Sequence, residues 1–247
     1  MVGKSQLKFI KSLQLKKYRK ANGLFVAEGV KLVNELLQTD LESEGVYTTQ
    51  PELLPPDFSS FEIIGKSDLK RMSGLKTPNK VLAVFRIPKA PEAVMEEWTI
   101  ALDGVKDPGN LGTIIRLCDW FGIRQLLCSE DTVDCYNPKV LQATMGSIAR
   151  VNIIYTPLEA LLTNLDLPVY GADMEGENVY GINWPSSGIL VMGNEAHGIS
   201  DEVSKVLEKK VSIPQFGKST TESLNVATAT AVLLSELRRG GSGFTQK

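Results

Sequence analysis

Apolar positions along this chain form short runs, separated by polar segments with helical spacing. Leu7, Ile10, Leu13 and Leu15 lie among lysines and predict a helix over 5–20. Leu24-Phe25-Val26-Ala27 reads as a short buried strand, and Val30, Val33, Leu36 and Leu37 mark one face of a helix over 28–38. Gly45-Val46-Tyr47-Thr48 and Phe61-Glu62-Ile63-Ile64 are strand-like around a proline-rich loop at 51–56. A short helix begins at Ser67-Asp68-Leu69, and Val81-Leu82-Ala83-Val84-Phe85 closes the unit as a buried strand. This alternation predicts a small α/β domain over residues 1–87, then a linker over 88–97 punctuated by Pro88 and Pro91.

From residue 98 the pattern changes scale. Strands are predicted at Ile100-Ala101-Leu102, 125–128, 151–155, Val169-Tyr170 and 189–192. Helices are predicted over 111–121, from Asn137-Pro138, after Pro157, over about 201–208 and over 224–239. Gly122 stands where a helix C-terminus wants glycine, and Asn137-Pro138 supplies a cap and a first-turn proline. The fold class is α/β, a mostly parallel sheet with helices on both faces over residues 98–247. Ligands of such sheets bind at the carboxyl ends of the strands. Gly240-Gly241-Ser242-Gly243 predicts a flexible tail, and there is no internal repeat.

Composition narrows the classes. The 247 residues are 43% hydrophobic and 7% aromatic, ordinary for a soluble globular protein. No apolar run approaches the roughly 20 residues of a membrane helix, and no signal-peptide pattern opens the chain, so a cytoplasmic protein is expected. Three cysteines, without C-x-x-C spacing, argue against a disulfide framework or a zinc site and make Cys118 and Cys128 small buried hydrophobes. Net charge is −2, yet Lys4, Lys8, Lys11, Lys16, Lys17, Arg19 and Lys20 precede the first acid, Glu28. Charge alone leaves open a phosphate-contacting surface or a merely solvated helix face.

The single histidine, His197, excludes Ser-His-Asp and Cys-His hydrolases and multi-histidine metal sites. Gly217-Lys218-Ser219 imitates the end of a P-loop, but Ser212 stands where the first glycine belongs and Pro214 interrupts the loop. Gly104, Gly109 and Gly112 do not make G-x-G-x-x-G.

What remains is three strand-like runs that break into loops rich in Gly, Pro and Asn. They are Leu102-Asp103-Gly104-Val105-Lys106-Asp107-Pro108-Gly109-Asn110, then Ile189-Leu190-Val191-Met192-Gly193-Asn194-Glu195, and Val211-Ser212-Ile213-Pro214 with Ser223-Leu224-Asn225-Val226 downstream. Backbone amides at such loops hold polar ligands with little side-chain help. Asn110, Arg116, Glu195, Ser223 and Asn225 are the polar residues in them that stand out. Each has a structural alternative: Asn110 as a helix cap, Arg116 on a surface, Glu195 in a turn, Ser223 as the N-cap of the last helix and Asn225 in its first turn.

Taken together, Asn110-x-Gly112-x-x-x-Arg116, Gly193-Asn194-Glu195-x-x-Gly198 and Ile213-Pro214 with Ser223-Leu224-Asn225-Val226 resemble the three motifs of the SpoU/TrmH family of SPOUT-class RNA ribose methyltransferases. The resemblance implies a deep trefoil knot threaded by the last helix, and a homodimer whose active site uses both subunits. It implies S-adenosylmethionine bound bent on backbone near Gly193, Ile213 and Leu224, with Met192, Gly171 and Ala172 lining it. No metal is implied. The reaction implied is methylation of a ribose 2′-hydroxyl, with Asn110, Arg116, Glu195, Ser223 and Asn225 as its machinery. A guanidinium stays protonated, so Arg116 is expected to hold the adjacent phosphate and acidify the hydroxyl rather than act as a base. The N-terminal unit is similar to the L30e-like substrate-binding domain of many members. That implies RNA contacts at Lys8, Lys11, Lys16, Lys17 and Arg19, and ribosomal RNA before tRNA. Competing readings are a non-catalytic RNA-binding or ribosome-assembly factor that keeps the knot, and a small-molecule-binding α/β domain.

Overall fold

Leu7 and Ile10 give helix α1 (Lys4–Ser12) a buried face and leave its lysines in solvent. The computed structural model describes residues 2–89, 93, 97–217 and 223–239, and in it the expected single N-terminal helix is two. Leu13 caps α1, and α2 (Lys16–Asn22) starts after Leu15, whose backbone is extended at φ −100°, ψ 131°. Arg19 explains the break. It is 3% exposed; its Nη1 donates to the carbonyl oxygens of Leu13 (3.0 Å) and Gln14 (2.8 Å), and its Nη2 pairs with Asp134 at 2.5 Å. The guanidinium thus serves carbonyls orphaned at the end of α1. This corrects the expectation of an RNA contact at Arg19, because burial and three acceptors commit it to the fold.

Strand β1 (Leu24–Glu28), helix α3 (Val30–Leu37), strands β2 (Ser43–Thr48) and β3 (Glu62–Ile63), helix α4 (Lys66–Met72) and strand β4 (Val81–Arg86) follow. The sheet runs β1-β4-β2-β3, with β4 antiparallel to both neighbours and β3 parallel to β2. Alternation along the strands puts Val26, Leu82 and Val84 in one cluster with Leu7 and Ile10 of α1 and Leu69 and Met72 of α4. Phe25 and Phe85 are register partners whose rings stack at 5.6 Å, and Tyr136 packs on Phe25 at 4.7 Å.

After β5 (Thr99–Leu102), α5 (Pro108–Trp120) and β6 (Gln125–Cys128), the chain gives one segment to the first unit. The compact units are Met1–Lys89 with Asp134–Ala149, and Ala90–Val133 with Arg150–Lys247. The sequence pattern assigns 98–247 to one domain, but Tyr136 packs against Phe25 with its ring tilted and Gln142 Nε2 donates to the Glu28 carbonyl oxygen at 2.5 Å. Helix α6 (Pro138–Thr144) in this segment starts as its sequence predicts, with the Asn137 side chain accepting from the Lys139 amide and Pro138 in the first turn.

The second unit continues with β7 (Asn152–Tyr155), α7 (Leu158–Thr163), β8 (Val169–Asn178), β9 (Ile189–Met192), α8 (Asp201–Ser204), β10 (Lys209–Ser212) and α9 (Val226–Arg239). Among the described residues its strands make a six-stranded sheet, β10-β8-β9-β5-β6-β7, parallel at every pairing. The central strands β9, β5 and β6 are buried along their whole length, as a parallel sheet covered on both faces requires. Leu102 is level with Cys128 and Met192, and Gly171 with Val191. The loops that follow β5, β6 and β9 therefore leave from one edge at one height.

Three details depart from the pattern. Strand β8 is far longer than Val169-Tyr170. Its pairing jumps from Gly171 to Glu177 between consecutive residues Lys210 and Val211 of β10, leaving 172–176 as an excursion. An ion pair at 2.7 Å joins Asp173 to Lys210 there, and that hydrogen bond holds the Asp173 carboxyl below its usual range. Helix α8 is a single turn that ends at Ser204. The predicted tail at 240–243 and linker residues 90–92 and 94–96 lie outside the described residues. All three cysteines are buried and none is in a disulfide among the described residues, and no helix among those residues is long and apolar enough to cross a membrane.

Arg19→Ala should destabilise the protein by about 3–5 kcal/mol, since it strands the Asp134 carboxylate and two carbonyls. Arg19→Lys should recover less than half of that, lacking the fork. Urea unfolding measures both, and a near-wild-type midpoint for Arg19→Ala would contradict the role given to it.

Candidate active site

Three loops leave the carboxyl edge of the parallel sheet, and a chain of side-chain amides joins them. The first follows β5. Asp103 is 9% exposed; its amide donates to the Met192 carbonyl oxygen (2.9 Å) and its carboxylate accepts from the Ser200 amide (2.7 Å). Ser200 in turn caps α8, so Asp103 fastens the loop after β9 to the end of β5. The Gly104 amide donates to Ser129 Oγ at 2.8 Å, and Ser129 Oγ donates to Asp131 at 2.6 Å. Lys106 pairs with Asp131 at 2.5 Å. The Lys106 hydrogen bond first, and then that of Ser129, hold the Asp131 carboxyl below its usual range. Asp107 caps α5 by accepting from the Asn110 amide at 2.8 Å, ahead of Pro108 in the first turn.

The second loop follows β9. Gly193 must lack a side chain, because a Cβ there would collide with the Gly198 carbonyl carbon and the Ile199 nitrogen. The turn it permits is closed by Asn194 and Gly198, which exchange backbone hydrogen bonds of 2.8 and 2.9 Å. The Asn194 side chain accepts from the amides of Ala196 and His197 and donates to the Gly104 carbonyl oxygen at 2.6 Å. His197 stays exposed in the loop. The turn presents Glu195 to the start of α5, where the amides of Lys106 and Asp107 approach its oxygens at 3.5 and 3.4 Å. A carboxylate is favoured at that helix end.

The third loop leads into α9. Asn225 is its N-cap, accepting from the amides of Ala227 (3.0 Å) and Thr228 (3.3 Å). The cap is therefore Asn225, where the structural alternative named Ser223. Asn110 stands between the other two loops. Its Nδ2 donates to Glu195 Oε1 at 2.9 Å, and its Oδ1 accepts from Asn225 Nδ2 at 2.9 Å.

The structure thus brings Asn110, Glu195 and Asn225 together. Arg116 lies exposed on α5, about 120° around the helix from Asn110 at 3.6 residues per turn, and no ion pair joins it to a described residue. Ser223 is exposed, two residues before the cap. Met192 and Gly193 end β9, Gly171 and Ala172 lie at the excursion of β8, and Ile213 follows β10, so these residues sit on three neighbouring strands. Gly171 also has no room for a side chain, since a Cβ would meet Leu207 Cδ1. Leu224 is 49% exposed and Phe216, in the loop after β10, 88% exposed. The sequence motifs include Asp103, Asp107 and Asn194, but sequence reasoning gave none of them a role. The signal was present: a short polar residue just past a buried strand or just before a proline is where caps and turns are built.

The chain as a whole is similar to known proteins. A family model described as the SpoU rRNA Methylase family matches residues 97–235, and one described as an MRM3-like substrate binding domain matches residues 4–83. The chain is 28% identical over 235 residues to the 23S rRNA (guanosine(2553)-2′-O)-methyltransferase RlmP of Bacillus subtilis, covering 92% of this chain and 94% of that one. A putative RNA methyltransferase of the TrmH family from Porphyromonas gingivalis superposes with a TM-score of 0.89 at 40% identity, over 98% of this chain and 100% of that one. An AdoMet-bound rRNA methyltransferase from Sinorhizobium meliloti superposes with a TM-score of 0.83 at 28% identity, over 97% of both chains.

Asn225→Ala should cost about 1–2 kcal/mol through loss of the cap. In a double-mutant cycle with Asn110→Ala, the two losses should be non-additive by at least about 0.5 kcal/mol. Additivity in urea unfolding would show that the Asn110–Asn225 hydrogen bond contributes nothing.

Proposed function

The chain belongs to the SpoU rRNA Methylase family, and from that premise we propose that it methylates a ribose 2′-hydroxyl of ribosomal RNA with S-adenosylmethionine as donor. The observation that carries this reading is the Glu195–Asn110–Asn225 chain at the carboxyl edge of the sheet, with Arg116 exposed on the helix it organises. The residues present fit the donor. Gly171, Ala172 and Gly193 offer backbone on or just past the neighbouring strands β8 and β9, Met192 is buried at the end of β9, and adenosine would cover surface that Leu224 and Phe216 now expose. Bound there, S-adenosylmethionine supplies an electrophilic methyl group on a sulfonium.

The protein's own part is placement and electrostatics. Asn110, Glu195 and Asn225 hold the three loops in one geometry, so that proximity dominates the rate. Arg116 forks onto the phosphate beside the target ribose and makes its 2′-hydroxyl more acidic, while the proton leaves to phosphate or water. Ser223 steadies the last loop. The reading includes a homodimer with a site drawn from both subunits, which the position of Arg116 away from Asn110 and the 84% exposed Trp120 on the same helix support. It includes a trefoil knot around α9 and an L30e-like first domain whose Lys8, Lys11, Lys16 and Lys17 contact RNA. We place the reaction in the cytoplasm, on ribosomal RNA rather than tRNA. No observation favours a non-catalytic scaffold.

Tritium-labelled S-adenosylmethionine and unmodified ribosomal RNA test the reaction. Digestion should release label in a 2′-O-methylnucleoside, and label only in a base, or none, would contradict it. Arg116→Lys should lower kcat about 100-fold or more without changing donor affinity, because an ammonium cannot replace the fork. Near-full turnover would remove the phosphate role of Arg116.

A further inference from the structure

Between α1 and α4 of the first unit runs a groove of about 420 Å³ lined by Lys4, Leu7, Lys8, Lys11 and Arg71. Lys4, Lys8 and Lys11 recur at helical spacing on one side of α1 and span about 10 Å at 1.5 Å per residue. Arg71 faces them from α4 with 53% of its side chain exposed. The floor is Leu7, and no acid lines the groove; Asp68, next to Arg71, approaches its guanidinium only at 3.7 Å. Lys11 reaches across α4 and donates to the Ser73 carbonyl oxygen, which orients its charge without neutralising it.

Folding alone gives no reason for this arrangement. Like charges spaced at i and i+4 repel, and Lys4 lies in the first turn of α1, where the helix dipole disfavours a cation and no acid is present. The same four charges become favourable when an extended polyanion occupies the groove and releases its counterions. We infer that the α1–α4 groove is the site where the first unit grips the phosphodiester backbone of the substrate RNA, with Lys4, Lys8 and Arg71 as its phosphate ligands. This rests on the reading of the protein as an RNA enzyme. It adds Lys4 and Arg71, from two separated segments, and gives the basic N-terminus a defined shape.

The test is equilibrium binding of the full chain to an unmodified 23S rRNA transcript across a salt series. Lys4→Gln, Lys8→Gln and Arg71→Gln together should raise Kd about tenfold or more and reduce the slope of log K against log salt by about 2, the share of three phosphate contacts. A control removes the same charge from exposed positions outside the groove, Lys31→Gln, Lys80→Gln and Lys139→Gln. It should change Kd less than threefold. Unchanged binding in the groove variant, or an equal loss in the control, overturns the proposal. All six positions are exposed, and equal S-adenosylmethionine affinity and unfolding midpoints verify that each variant folds. Should the wild-type protein transfer no methyl group, the proposed function fails, while the binding comparison still decides the groove.

Discussion

Asn110 uses both ends of one carboxamide, donating a hydrogen bond to Glu195 and accepting one from Asn225. That double role fixes the residue type. An aspartate could not donate to Glu195, and a leucine could do neither. Through this one side chain, loops from three separated segments acquire a common geometry. Glu195 is held in place by a turn that only glycine at 193 allows, and Asn225 is held because it caps a fourteen-residue helix. The strut works only because its ends are anchored in elements that owe nothing to it.

Those elements come from the register of the parallel sheet. Leu102, Cys128 and Met192 stand at one height, so the residues after them start level. Asp103 then ties the β5 end to the β9 end by its amide and to Ser200 by its carboxylate. A buried carboxylate that accepts a backbone amide is costly to leave unpaired, which makes this link a stiff one. Catalysis by alignment needs such stiffness more than it needs an unusual functional group.

Most of the architecture was legible in the chain because its strands are apolar and its turns carry proline, glycine and asparagine. The parallel sheet, the cap at Asn137 and the convergence of Asn110, Glu195 and Asn225 could all be read that way. What could not be read depended on distant partners. Nothing near Arg19 in sequence announces Asp134, so a buried structural arginine looked like one more surface cation. The length of β8 is set by β10 across the excursion at 172–176, whose own residues do not alternate. The segment 134–149 looks like part of a βα repeat, yet Tyr136 and Gln142 find their partners on β1. The side chains of Asp103 and Asn194 act on backbone groups of other loop residues, partners that motif spacing does not display.

The central claim is that the three loop ends form a binding site for a methyl donor. It is tested most directly by calorimetric titration of the purified protein with S-adenosylmethionine and with its demethylated product, at a concentration where molecular mass is also measured. The account predicts micromolar binding of both, one per chain, to a dimer. A folded protein that binds neither would contradict it and leave the shared motifs as a record of ancestry alone.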